Sequence, residues 1–182
     1  MSGARQVEVL FEERTIAERT AGLAAEIARA EPKDLLVVAI LKGSFMFAAD
    51  LLRAMHRVGL APHVEFFHLS SYREGMVSSG TVRILRDIES SVKGRDVVLI
   101  DDILESGRTL AFAKDLLAAR GARRVLVCTL LEKRGKREVA IEADFVGFDC
   151  PDLFVVGYGM DVAHSYRELP FIGHVVTAAD AK

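Results

Sequence analysis

Residues 99 to 110 read LIDDILESGRTL: two adjacent aspartates, a glutamate, then Ser-Gly-Arg-Thr. Three carboxylates repel one another, so Asp101, Asp102 and Glu105 call for a cation or for hydroxyl groups that donate to them. The segment Ser106-Gly107-Arg108-Thr109 calls for the opposite charge. Glycine permits close backbone approach, successive N–H groups ahead of a helix attract an anion, and two hydroxyls add donors. A ligand with a phosphate at one end and hydroxyls or a metal at the other meets both demands, as a ribose 5-phosphate does. Carboxylates accept hydrogen bonds from sugar hydroxyls and hold Mg2+ through its waters. The plain alternative is a strand-to-helix turn in which Asp and Ser act as caps. A lone Asp-Asp pair would favour that alternative. The third acid, the glycine and the two hydroxyls at this spacing weigh against it. Neither GxxxxGK[ST] nor GxGxxG is present, which leaves out a Walker loop and a dinucleotide fingerprint.

These residues need elements to hold them. The apolar run into Asp101 predicts a central strand over 96–100, and a helix follows over 109–120, ending before Gly121. Residues 35–41 (LLVVAIL) predict a strand buried on both faces. Lys42-Gly43-Ser44 and an amphipathic helix ending at Gly59 follow. Upstream, Ile16, Thr20, Leu23, Ala24 and Ile27 share one face of a helix over 13–30, which Pro32 stops. Further strands are expected at 63–69, 82–88, 123–131, 144–148 and 153–159. The polar stretch SSYREGMVSSG (70–80) predicts a mobile loop, and the antiparallel-looking run 63–88 a flap. Alternating strands and helices predict an α/β fold: a mainly parallel central sheet flanked by helices, as one domain over 1–182. Ligands of such sheets sit beyond the carboxyl ends of the strands. There the chain places Lys42-Gly43, Asp101-Asp102 and Lys133.

Bulk composition narrows the partners. The 182 residues carry 24 Lys+Arg against 26 Asp+Glu, a net charge of −2, with 51% hydrophobic and 27% charged residues. That balance gives no general reason to bind nucleic acid or an anionic membrane. Cys128 and Cys150 form no metal-spaced cluster and suit reduced thiols in a cytoplasmic protein. Glu8, Glu12 and Glu13 break any signal-peptide core, and no apolar run approaches a membrane span.

The block VVLIDDILESGRTL resembles the phosphoribosyl-pyrophosphate (PRPP) loop of the type I phosphoribosyltransferases. The likeness extends over roughly residues 8–176. ILKGSFMFAADL is similar to the pyrophosphate-binding loop of the hypoxanthine-guanine phosphoribosyltransferases, and SSYREGM to their flexible catalytic loop. LLEKRGKREV, DFVGFDCPDLFVVGYGMD and YRELPFIG resemble their purine side. The resemblance implies the type I phosphoribosyltransferase fold with a small hood and a flexible flap, and the reaction of PRPP with a purine base to give nucleotide and pyrophosphate. It implies purine salvage with hypoxanthine, and guanine beside it, giving IMP or GMP. Mg2+ is the implied cofactor, and a homodimer or homotetramer the implied assembly.

Carried over residue by residue, the resemblance puts Asp101 and Asp102 against the ribose hydroxyls and the metal. Ser106, Gly107, Arg108 and Thr109 become the 5-phosphate cradle. Glu105 stands where the family usually has Asp near purine N7, as proton acceptor; it reaches one methylene further. Asp101 is a milder departure from a common Glu. Leu41, Lys42 and Gly43 match the pyrophosphate loop, in which the family has a non-proline cis peptide, and Arg167 matches a further pyrophosphate ligand. Ser71 and Tyr72 match the pair that closes over the site. Lys133 matches the donor to purine O6, Phe154 the ring that stacks on the base, and Val155 its main-chain contacts. Asp161 matches a metal-binding aspartate near the second Mg2+, and Leu153 departs from members with Lys. A lysine only donates, so Lys133 implies a 6-oxo base and excludes adenine.

Three other readings stand beside this one. A nucleotide-sensing, RNA-binding regulator uses the same fold, though the acidic balance speaks against it. A xanthine-guanine or a pyrimidine transferase is closely related. A phosphate-dependent enzyme that merely shares the loop is the third.

Overall fold

The computed structural model describes residues 6–71 and 82–176. Its centre is a six-stranded sheet in the order β4-β3-β2-β5-β6-β7. The strands are β2 (Leu36–Leu41), β3 (His63–Ser71), β4 (Val82–Arg86), β5 (Asp96–Leu104), β6 (Arg124–Glu132) and β7 (Phe145–Asp149). All neighbours are parallel except β3 and β4, whose antiparallel pairing bears out the hairpin-like stretch expected there. The expected loop over 70–80 lies, from Tyr72 on, outside the described residues.

Alternation within the strands decides which helix covers which face. On β2, Val37 and Ala39 join a core with Ile16, Leu23 and Ile27 of helix α1 (Glu13–Arg29) and Phe47, Leu51 and Met55 of α2 (Phe45–Arg57). Leu36, Val38 and Ile40 point the other way, to Leu110, Ala113 and Leu117 of α3 (Arg108–Ala119). A strand packed on both faces must be apolar throughout, as LVVAIL is. The predicted α1 face of Ile16, Thr20, Leu23, Ala24 and Ile27 is the buried one.

Two expectations need correcting. β5 does not stop at Ile100 but continues to Leu104, because β6 keeps pairing with it through Leu104↔Glu132. Asp101 and Asp102 therefore sit within a strand. Nor is 153–159 one strand of the main sheet. Only Val155 and Val156 pair, as β8, in a separate antiparallel sheet β1-β9-β8 with β1 (Val7–Phe11) and β9 (Ile172–Val175). This second sheet is the hood. Among the described residues no helix is long and apolar enough to cross a membrane.

At the amino end of the sheet, Asp96 is fully buried and gathers the Lys33 N–H and the guanidinium groups of Arg123 and Arg124. Burial works against its charge, but the Lys33, Arg124 and Arg123 hydrogen bonds outweigh it and hold the carboxyl below the usual range. A depressed folded-state pKa adds stability above the ordinary carboxylate range, lost as pH falls through the folded value. Asp96→Asn is expected to cost about 1–3 kcal/mol at neutral pH, since it removes a fully buried charged acceptor from the Lys33 N–H and two half-exposed guanidinium groups. Urea melts should show that deficit shrinking toward acid pH.

Candidate active site

Sheet order places the site. From β2 the chain winds outward to β3, whereas from β5 it winds the other way to β6 and β7, so the order reverses between β2 and β5. Their pairing ends at Ala39↔Ile100, and beyond it the carboxyl ends part. A cleft of about 910 Å³ opens there. Leu41, Lys42, Gly43 and Asp102 line it on one side, Glu105, Lys133, Phe154 and Val155 on another, with Asp161 and Arg167 between. Asp101 and the Ser106–Thr109 turn are outside the lining. Ser71 ends β3, and Tyr72 falls outside the described residues.

The Ser106–Thr109 turn caps α3 in an unusual way. Gly107 is the N-cap residue with φ 85°, and α3 has neither a side-chain cap nor an acidic residue in its first turn. Apart from a long 3.4 Å bond from Arg108 N–H to Ser106 Oγ, its first N–H groups are left for an external acceptor. The segment after Lys133 fastens the turn from outside. Glu138 and Val139 N–H both donate to Ser106 O, at 2.9 and 3.1 Å, and Glu138 pairs with the Arg108 guanidinium. A Cβ on Gly107 would stand 2.6 Å from Ile141 Cγ2, so both the left-handed backbone and the close approach require glycine here.

The acidic pair is layered. Asp101 is 8% exposed, while Asp102 is half-buried and faces the cleft. Burial, reinforced by the neighbouring Asp102 charge, pushes the Asp101 carboxyl well up; burial also raises that of Asp102. The Asp102 carboxylate lies against the Lys42-Gly43 backbone: a Cβ on Gly43 would be 1.7 Å from its Oδ2. The Leu41–Lys42 peptide there is cis. Among the described residues no cluster of three or more His, Cys, Asp or Glu side chains forms a protein-only metal cage. A carboxylate pair at the cleft, short of cationic partners, fits a hard divalent cation that takes its remaining ligands from water and substrate oxygens. Asp161 is paired with Arg167 at 2.7 Å, and Arg167 also donates to Gly159 O at 2.6 Å. Gly159, with φ 98°, comes so near Gly43 that a Cβ on it would be 2.4 Å from Gly43 O.

Across the cleft, Lys133 N–H donates to Leu104 O at 2.9 Å, which sets that residue beside the end of β5. Its ammonium, nearly buried, is 3.5 Å from Glu105 Oε1. Phe154 is 56% exposed; a ring left so open in an otherwise buried run Val155–Met160 suits a planar partner rather than the core. Two residues in this wall, Lys136 and Asp152, went unnoticed in the sequence. Lys136 Nζ lies 3.8 Å from Glu105 Oε1 and 2.7 Å from Asp152 Oδ1. The signal was the spacing: Lys133 caps a 3-10 helix (Arg134–Lys136), where side chains three apart eclipse.

The family model of the phosphoribosyl transferase domain matches residues 6–163. The hypoxanthine phosphoribosyltransferase of Escherichia coli K12 is 42% identical over 173 residues, 93% of this chain and 96% of that protein. A crystal structure of a hypoxanthine phosphoribosyltransferase from Staphylococcus aureus superposes with a TM-score of 0.87 at 40% identity, covering 93% of this chain and 91% of the other. The hypoxanthine phosphoribosyl transferase of Trypanosoma cruzi gives 0.90 at 34% identity, covering 100% and 97%. With Asp102 lining a cleft at the strand-order reversal, and these relatives matched over nearly its whole length, this chain belongs to the hypoxanthine phosphoribosyltransferases.

Proposed function

We propose that the protein transfers the 5-phosphoribosyl group of PRPP to hypoxanthine, and to guanine, releasing IMP or GMP and pyrophosphate. The observation that carries this is the Lys133–Glu105 pair, 3.5 Å apart beside the open Phe154 ring. It offers a donor next to an acceptor, the complement of a 6-oxo purine edge in which O6 accepts and N7–H donates. Phe154 stacks on the base while Val155 meets it through its main chain. The α3 N-terminus and Ser106–Thr109 hold the 5-phosphate, and Asp101 and Asp102 accept from the ribose hydroxyls. Lys42, Gly43 and Arg167 hold the pyrophosphate.

The bond from C1′ to the pyrophosphate oxygen breaks, and its electrons leave with pyrophosphate. The purine N9 lone pair forms the new bond to C1′, which passes through an oxocarbenium-like state as in glycoside cleavage. The proton at N7 goes to the Glu105 carboxylate. Asp102, with Asp101 behind it, and Asp161 would hold Mg2+, which when bound would neutralise charge on the departing pyrophosphate. Keeping water from PRPP is the part that the family resemblance gives to Ser71 and to Tyr72, the latter outside the described residues.

The test is nucleotide formation from PRPP and Mg2+ with hypoxanthine, guanine, xanthine and adenine in parallel. Hypoxanthine and guanine are expected to react and adenine not, since Lys133 can only donate. Xanthine as the preferred base would move the protein to the xanthine-guanine branch. Silence with all four would favour the regulator, and a steep salt dependence of RNA binding would then identify it.

A further inference from the structure

Glu105 does not stand alone on the base side of the cleft. Four charged side chains alternate in sign across it: Asp152, Lys136, Glu105 and Lys133. Lys136 Nζ is 2.7 Å from Asp152 Oδ1 and 3.8 Å from Glu105 Oε1, and Lys133 Nζ approaches the same Oε1 at 3.5 Å. We propose that Lys136, anchored by Asp152, is a positioning residue that fixes the Glu105 carboxylate against the base. This deepens the reading of Glu105 as proton acceptor and rests on it.

Reach and competition for donors both point this way. A glutamate carries one more rotatable bond than an aspartate, so its carboxylate must be held to act at one place. Lys133 alone is a poor holder, because a bound 6-oxo base draws its ammonium toward O6. Lys136 has no such duty. It follows Lys133 at the end of the short 3-10 turn, and it ties Glu105 to the segment that carries Phe154 two residues beyond Asp152. Asp152, through its hydrogen bond, raises the Lys136 pKa above the ordinary lysine value. Lys136 is 55% exposed, so replacing it leaves the core untouched.

The experiment is a double-mutant cycle on steady-state kinetics of the full chain with hypoxanthine, PRPP and Mg2+. Lys136→Met is expected to lower kcat/KM for hypoxanthine about fivefold, an effect of the size charge pairs have when substrate partly desolvates them, with KM for PRPP and the thermal midpoint unmoved. Lys136→Arg should restore most of it. In a Glu105→Asp background, where the carboxylate is drawn back from Lys136, Lys136→Met should change kcat/KM by less than about twofold. Asp152→Asn gives a second reading, since the double variant with Lys136→Met should be no slower than Lys136→Met alone. Equal losses with and without the Glu105→Asp substitution, additive losses with Asp152→Asn, or no loss from Lys136→Met would each overturn the inference. An unimpaired Glu105→Gln would overturn the reading of Glu105, and the inference with it. An impaired Glu105→Gln beside an indifferent Lys136→Met overturns the inference alone.

Discussion

Glu105→Gln is expected to lower kcat for hypoxanthine by about 10²- to 10³-fold while the protein stays folded, the range that removal of a general base produces. The amide keeps the shape and can still accept a hydrogen bond from N7–H, so binding should weaken little. It cannot take the proton. The loss should therefore fall on kcat rather than on KM. Glu105 is partly exposed and makes its ion pairs with Lys133 and Lys136 at 3.5 and 3.8 Å. Losing such loose pairs leaves the thermal midpoint nearly unchanged. Steady-state rates with hypoxanthine at saturating PRPP, with a melting curve, check both halves. A variant that melts normally and turns over normally would remove Glu105 as the base.

The second large effect is expected at Gly43. An added methyl would stand 1.7 Å from Asp102 Oδ2 and 2.7 Å from its Cγ, distances no Cβ tolerates. The obstacle is the end of a side chain, so Gly43→Ala should fold; Asp102 must turn away. That displaces the carboxylate assigned to the metal and the ribose by more than an ångström, a shift that costs about 10²-fold in catalysis. The loss should appear in kcat/KM for PRPP, with KM for hypoxanthine little changed, because Lys133 and Phe154 lie across the cleft. Measuring both Michaelis constants across a Mg2+ titration separates the two subsites.

Much of this arrangement was legible in the chain because it is local. LVVAIL leading to Lys-Gly, and VVLIDD leading to Ser-Gly-Arg-Thr, each state a strand and the turn beyond it within a dozen residues. What the sequence concealed depends on distant partners. Where β5 ends is settled by β6, whose Leu131 and Glu132 carry the pairing past Asp101. The hood joins Val7 to Val175 and His174 to Val155, and no local pattern announces such pairings. LFVVGYG looks like one strand from its apolar run, yet Gly157 and Gly159, with φ of 94° and 98°, end the pairing after two residues. Phe154 could have been core by residue type; only its exposure in the fold sets it apart.

Gly159 and Gly43 come close backbone to backbone, with no side chain between the turn after β8 and the loop after β2. In evolutionary terms that contact is a closed door. Gly159 cannot drift: a methyl there would strike a carbonyl oxygen that has no rotamer to retreat to, on a backbone already in the left-handed region, while a methyl at 43 would displace Asp102. Variation in which base is accepted must then come from side chains around this fulcrum, such as Leu153 and Lys136, while the two walls keep their spacing. A lineage changing its preferred purine would thus be expected to leave both glycines alone and rewrite the charged row beside Phe154.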